Sequence, residues 1–165
     1  MNLDYLAGLF DGEGCFCITR NVSRRNRMGV EIKLLAQIDL RQLSVLKQIQ
    51  ELLGGNVRSS REETNKYAAT FKWTIWSDRA ANFAQIIKDR LLIKKPQAEL
   101  AIRFQNSLNQ NNRQIISEEH WQALESMYQE MKFLNIRGPL GSEDIDDCDK
   151  TPWQLFTDGM RKEES

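Results

Sequence analysis

The sequence predicts an α+β domain in the order αββαββα, a four-stranded antiparallel sheet backed by helices on one face, with additional C-terminal helices. Three observations carry that expectation. Segments with apolar residues three and four apart alternate with segments of period two. The strand-like segments come in two pairs, each joined by a short polar stretch. Glycines and capping residues stand where one kind of segment gives way to the other. At 165 residues and 41% apolar content, the chain holds enough for one packed core. Residues 1–138 are read as the core domain and 139–165 as an acidic linker with a short C-terminal helix.

Asn2 suits the N-cap of a first helix that starts at Leu3 and ends in the GEG of 12–14. Residues 15–20 (CFCITR) have strand composition, the basic stretch around Arg24–Arg27 reads as a hairpin tip, and a second strand covers 30–38. Asp39 is placed as the N-cap of a second helix, in which Leu40, Leu43, Leu46, Ile49 and Leu53 recur until Gly54-Gly55 stop it. Residues 56–61 and 67–76 make the second strand pair, around the polar turn EETN of 62–65. In the last strand Tyr67, Ala69, Phe71, Trp73 and Ile75 share a core face, while Ala68, Thr70, Lys72 and Thr74 share the other. That second face is short, polar and cationic, as a sheet meeting something polar would be.

Ser77 is read as the cap of a helix over 78–91, and Lys95-Pro96 as the start of another running to about Leu108. After a polar loop (NQNNR, 109–113), Ser117 opens a long amphipathic helix with Trp121, Leu124, Met127, Tyr128 and Met131 on one stripe. Thr151-Pro152 begins a last short helix carrying Trp153, Leu155 and Phe156.

Charge is unevenly spread. The chain balances 23 Lys+Arg against 23 Asp+Glu, yet residues 1–117 hold 18 basic and 11 acidic side chains, and 118–165 hold 5 and 12. The neutral total conceals a basic part and an acidic part, and clustered cations are the footprint of polyanion binding. Three cysteines, without zinc-type spacing, make no disulfide scaffold; Cys15 and Cys17 read as packed thiols. No apolar run approaches a membrane span and no secretory leader is evident, so an intracellular location is expected, in a prokaryotic cytoplasm or an organelle, with no membrane partner and no small-molecule substrate.

The segment LAGLFDGEG (6–14) carries the chemistry. Gly8 and Gly12 lie four apart on one helical face, each at a cost of about 1 kcal/mol against Ala, and a face without Cβ atoms permits very close helix–helix approach. Asp11 and Glu13 crowd the negative end of the helix dipole, where acids are destabilising unless a cation compensates. Two copies packed on this face would bring two acids together to hold divalent cations.

LAGLFDGEG resembles the LAGLIDADG signature of homing endonucleases, with Glu13 in place of its last Asp. AQID (36–39) is similar to the family's Q-x-D junction, LLIKKPQAELAIRFQ (91–105) to its L-x-I-K-x-x-Q-A segment, and MKFLNIRG (131–138) to its L-N-x-R-G ending. The resemblance implies a site-specific, divalent-metal-dependent DNA endonuclease, or on the same fold an intron maturase or a non-cleaving DNA-binding regulator. Glu13 would bind metal with the carbonyl of Gly12, for Mg²⁺ with Mn²⁺ or Ca²⁺ as substitutes. Gln37 would position water, and Lys94 would be the basic residue beside the solvent network.

A single motif implies a homodimer on a pseudo-palindromic duplex, with Leu6, Ala7, Gly8, Phe10, Asp11 and Gly12 at the dimer interface. Asp11 reads as a structural cap more than as a metal ligand. Family analogy and strand parity nominate Cys17, Thr19, Asn21, Thr70, Lys72 and Thr74 for the DNA face, with Ser23, Arg24, Arg25, Arg27, Arg58 and Arg61 near strand ends for phosphates and base edges. An ungapped match at Gln37 turns Glu31 and Lys33 to the core and Ile32 and Leu34 outward, which a bulge near Leu34-Leu35 would repair.

Overall fold

A computed structural model describes residues 1–22, 30–110 and 117–136. The chain divides into two compact units, Met1–Thr19 with Lys33–Asn135, and Arg20–Ile32 with Ile136–Ser165. The elements run α1 (Leu3–Glu13), β1 (Gly14–Val22), β2 (Val30–Leu40), α2 (Leu43–Leu53), β3 (Asn56–Arg61), β4 (Thr70–Trp76), α3 (Asp78–Ile87), a 3-10 turn (Lys88–Arg90), α4 (Lys95–Gln110) and α5 (Glu118–Asn135). The four strands form one sheet in the order β1-β2-β4-β3, so the expected α+β architecture is the observed one.

In the first unit the helices cover one face of the sheet. Phe16 and Ile18 of β1, Leu34, Ala36 and Ile38 of β2, and Trp73 and Ile75 of β4 are buried there against Leu6 and Phe10 of α1, Leu46 and Ile49 of α2, and Phe83 and Ile87 of α3. An aromatic cluster joins the layers: Phe10 lies 4.6 Å from Phe16 and 5.1 Å from Phe83, and Phe83 meets Trp73 edge-on at 5.5 Å. Gly55 makes the α2–β3 turn with φ +90°, and a Cβ there would strike Thr74 O at 2.6 Å. The Trp73 indole donates to the Gly54 carbonyl at 2.8 Å and closes this corner. Of the second unit, the described residues are the outer ends of β1 and β2 and Ile136; Val22 is exposed and Ile32 buried.

Several local expectations are corrected. β2 needs no bulge at Leu34-Leu35: Ile32, Leu34, Ala36 and Ile38 alternate inward, Glu31, Lys33 and Gln37 outward, and pairing with β4 is regular from Leu35↔Trp76 to Leu40↔Phe71. Asp39 caps no helix. The strand continues through Leu40, because cross-strand pairing with Lys72 and Phe71 offers its backbone a ladder that a lone cap cannot match, and α2 starts at Leu43 without a side-chain cap.

Ser77, at φ 52°, makes no side-chain cap bond; its amide bonds Leu34 O instead, at 2.9 Å. β4 begins at Thr70 and Tyr67 is 57% exposed, because Thr64 and Tyr67 bond each other's backbone and close the hairpin before the strand starts. Helix α3 stops at Ile87, and α4 runs on to Gln110. Two expectations hold in detail: Asn2 accepts Asp4 N–H at 2.8 Å as the cap of α1, and Ser117 accepts His120 N–H at 3.2 Å at the head of α5. The hairpin tip around Arg24–Arg27 and the short helix from Thr151 lie outside the described residues.

Candidate active site

Helix α1 delivers two carboxylates to its C-terminal end, and the fold engages one of them. Asp11 Oδ2 accepts the Leu92 N–H at 2.7 Å, Oδ1 accepts that of Lys94 at 2.9 Å, and both oxygens take the Ile93 N–H at 3.3 Å. These amides lead into α4, so Asp11 ties α1 to the approach of α4 by charge-assisted bonds and has the structural role expected of it. Glu13, two residues on, is exposed, and no hydrogen bond or ion pair among the described residues engages its carboxylate.

Lys94 does not stand beside open solvent. It is 6% exposed, and Nζ donates to the carbonyl oxygens of Phe10, at 3.0 Å, and of Asp11. The carbonyls at a helix end carry the negative pole of its dipole, so a buried ammonium there gives Phe10 O, which also accepts the Gly14 N–H, and Asp11 O an added donor and offsets the two acids. The compensating cation that the acidic helix end requires is Lys94, brought in from 83 residues away.

The face of α1 assigned to a second copy is also corrected. Leu6, Ala7 and Phe10 are 0% exposed and belong to the chain's own core. Gly8 and Gly12 are the exposed residues, and a Cβ built on either meets nothing within 4 Å. Beside them stand apolar side chains that sequence reasoning did not single out: Tyr5 is 55% exposed, and Leu92 and Ile93, held by Asp11, are 92% and 69% exposed. Their hydrophobicity was legible; their exposure depends on where Asp11 reaches.

The outward face of the sheet carries most of the other nominated residues. Gln37 on β2 lies opposite Thr74 on β4, itself opposite Asn56 on β3; the row beside it is Asp39, Lys72 and Arg58. The Gln37 amide has no side-chain partner among the described residues, and Thr74 is 5% exposed. Arg61 pairs with Thr70, past a register shift after Ser59, and its guanidinium sits 5.2 Å from the Tyr67 ring centroid. Cys17 and Thr19 alternate with the buried Phe16 and Ile18, so they face outward; Thr19 Oγ1 donates to Lys33 O at 3.3 Å.

The Cys15 and Cys17 sulfurs are 3.1 Å apart. The Cys17 thiol is pushed far above its ordinary range by the hydrogen bond to Cys15, by burial and by the Cys15 charge, so it stays neutral. Asn21 is exposed in the second unit, and Ser23, Arg24, Arg25 and Arg27 lie outside the described residues.

Among the described residues no three His, Cys, Asp or Glu side chains gather as a metal site, and no helix is long and apolar enough to cross a membrane. One chain offers the free carboxylate of Glu13 next to the exposed Gly12, an oxygen donor set suited to a hard divalent cation but too small to enclose one.

The four-stranded sheet with its helices matches solved homing endonucleases. The chain superposes on I-CvuI, solved in complex with the I-CreI target, at TM-score 0.71 with 14% identity, covering 96% of this chain and 92% of that one. It superposes on the archaeal intron-encoded homing endonuclease I-Vdi141I, complexed with DNA, at TM-score 0.72 with 18% identity, covering 99% and 97%. On I-LtrWI, a LAGLIDADG homing endonuclease bound to target DNA, it reaches TM-score 0.66 with 22% identity over 82% of this chain and 46% of that one. The sequence profile of the LAGLIDADG endonuclease family matches residues 6–95, more than half of the chain, and the chain belongs to that family. No curated protein matches the sequence.

Proposed function

We propose that this chain is a site-specific double-strand DNA endonuclease acting as a homodimer on a pseudo-palindromic site, with a divalent cation, Mg²⁺ or in its place Mn²⁺ or Ca²⁺. The observation that carries the reading is the end of α1: an uncommitted Glu13 carboxylate on a helix whose outer face, at Gly8 and Gly12, is bare. Two such faces packed together would set two Glu13 carboxylates and two Gly12 carbonyls side by side, supplying the donors that one chain lacks. The exposed Tyr5, Leu92 and Ile93 would be covered by the same contact. The chain spans nearly the whole of I-CvuI and I-Vdi141I but under half of I-LtrWI, which is consistent with two copies making one enzyme. The structures it resembles include complexes with DNA, among them I-CvuI in the presence of Mg or Ca.

Glu13 and the Gly12 carbonyl would hold the cation, which when bound supplies charge compensation at the scissile phosphate and eases formation of a nucleophile near neutral pH. The protein's own contribution is positional. Gln37, with its amide unclaimed, would orient the attacking water on the sheet side. Lys94 acts through α1: by holding the Phe10 and Asp11 carbonyls it fixes the helix end that presents Glu13, and it adds a buried positive charge there. The outward sheet face would lie in the major groove, with Arg58, Arg61, Lys72 and the polar side chains around them toward the duplex.

The test uses full-length protein and plasmid DNA carrying the uninterrupted sequence at the gene's own insertion point. Wild type with Mg²⁺ is expected to cut both strands at one site. Glu13→Gln should slow cleavage by about a thousandfold or more while changing DNA affinity by no more than about threefold. Tight binding to one long site without cleavage at any Mg²⁺ concentration would instead make the chain a DNA-binding regulator.

A further inference from the structure

Asp39 is a carboxylate on a face read as meeting a polyanion. Its side chain is 38% exposed and lies on β2 directly opposite Lys72 of β4, which is in turn opposite Arg58 of β3. The neighbouring row, Gln37, Thr74 and Asn56, is neutral. Asp39 Oδ2 accepts from Ser60 Oγ at 2.7 Å and lies 3.5 Å from Lys72 Nζ; Oδ1 has no protein partner among the described residues. Ser60 owes its place to the register shift between Ser59 and Arg61, which inserts it between paired positions.

Neither of the usual reasons for such a group applies. Asp39 caps no helix, and a part-exposed ion pair adds little to stability. Nor is the group suited to the DNA backbone: Asp39 repels phosphate, and it neutralises the lysine beside it. What Asp39 and Lys72 present together is a fixed acceptor oxygen next to an ammonium donor, both directed away from the core. In the major groove, lysine is matched to the adjacent acceptors O6 and N7 of guanine, and aspartate to the N4 amino donor of the cytosine paired with it. The preferences of both side chains fall on one base pair.

We infer that Asp39 and Lys72, with Ser60 holding the carboxylate, form an element that reads a single G·C pair in each half of the target. This rests on the DNA-endonuclease reading above. Arg58, in the same row, has no acid partner among the described residues.

The experiment is selection of full-length protein on a duplex pool randomised along its length, in Ca²⁺ buffer, with bound DNA sequenced. Wild type should fix one G·C pair per half-site. Asp39→Asn keeps the size but swaps one acceptor for an amide donor, which suits adenine. It should lower discrimination at that position from roughly thirtyfold to about threefold or shift it to A·T, and leave the other positions as they were. Lys72→Gln should relax the same position and no other; it answers the question by itself if Asp39→Asn proves unfolded by circular dichroism.

A uniform change in affinity with an unchanged sequence profile overturns the inference and leaves the pair as electrostatic support. So does wild-type selection that fixes A·T, or nothing, at the position sensitive to Lys72. Failure of the wild type to bind any duplex in a salt-dependent way sinks the nuclease reading itself, a different result from an unchanged profile.

Discussion

The two sides of helix α1 meet different surroundings. Its inner side, Leu6, Ala7 and Phe10, is fully buried in the chain's own core, and below it Asp11 and Lys94 tie the helix end to the start of α4. Its outer side ends in Gly8, Gly12 and Glu13, which are exposed. The carboxylates of Asp11 and Glu13 are two residues apart, yet among the described residues one is bonded to three backbone amides and the other to none. Rigidity on one side is what allows the other to be left open: a helix end pinned by a buried cation and a capped loop presents its free acid in one place.

The comparison can be broken most severely at Asp11. Asp11→Ala should cost about 3 kcal/mol, since charge-assisted bonds to three amides go at once. In a chain of this size that lowers Tm by about 6–12 °C in a thermal melt, whereas Glu13→Gln, expected to slow cleavage by about a thousandfold, should move Tm by about 1 °C or less. Equal melting losses for the two variants would mean that Glu13 has a structural partner and that the proposed division is false.

Next comes Lys94→Met, which takes a charged donor from the Phe10 and Asp11 carbonyls and leaves two acids uncompensated. A loss of about 2 kcal/mol is expected in urea unfolding, with cleavage falling further than stability, because Glu13 is then carried on a looser end. The open side gives the opposite sign. Gly8→Ala should raise the unfolding free energy of the isolated chain by about 0.5–1 kcal/mol, Ala being the better helix former, while weakening self-association measured by sedimentation. A variant stabilised and still dimeric would show that α1 is not the contact.

The smallest effect lies on the sheet. The neutral Cys17 thiol has its folded pKa raised, so the unfolded chain loses its proton first as pH climbs. Stability should therefore decline above about pH 9 and remain level below it. Cys17→Ser should flatten that alkaline decline in unfolding curves collected from pH 7 to 10.

The order of elements was readable because each helix or strand announces itself by local periodicity and punctuation. The candidate site was readable in part. The spacing of Gly8, Gly12 and Glu13 pointed to the open end of α1, and strand parity placed Cys17, Thr19 and Lys72 on the outward face; Thr74, nominated with them, is buried. The misreadings share a cause: they concern groups whose partners are distant in sequence. Asp39 has the local look of a cap, but Ser60 and Lys72 claim it and the strand runs on. Lys94, expected beside a solvent network, is instead buried under the end of α1.

By itself, then, the sequence determined the alternation of elements, the glycine face and the family signature, all properties of short segments. Tertiary structure decided which side of α1 is core, which of its two acids is left uncommitted, and which lysine is buried. Those outcomes depend on desolvation and on hydrogen-bond partners that only the packed chain brings within reach.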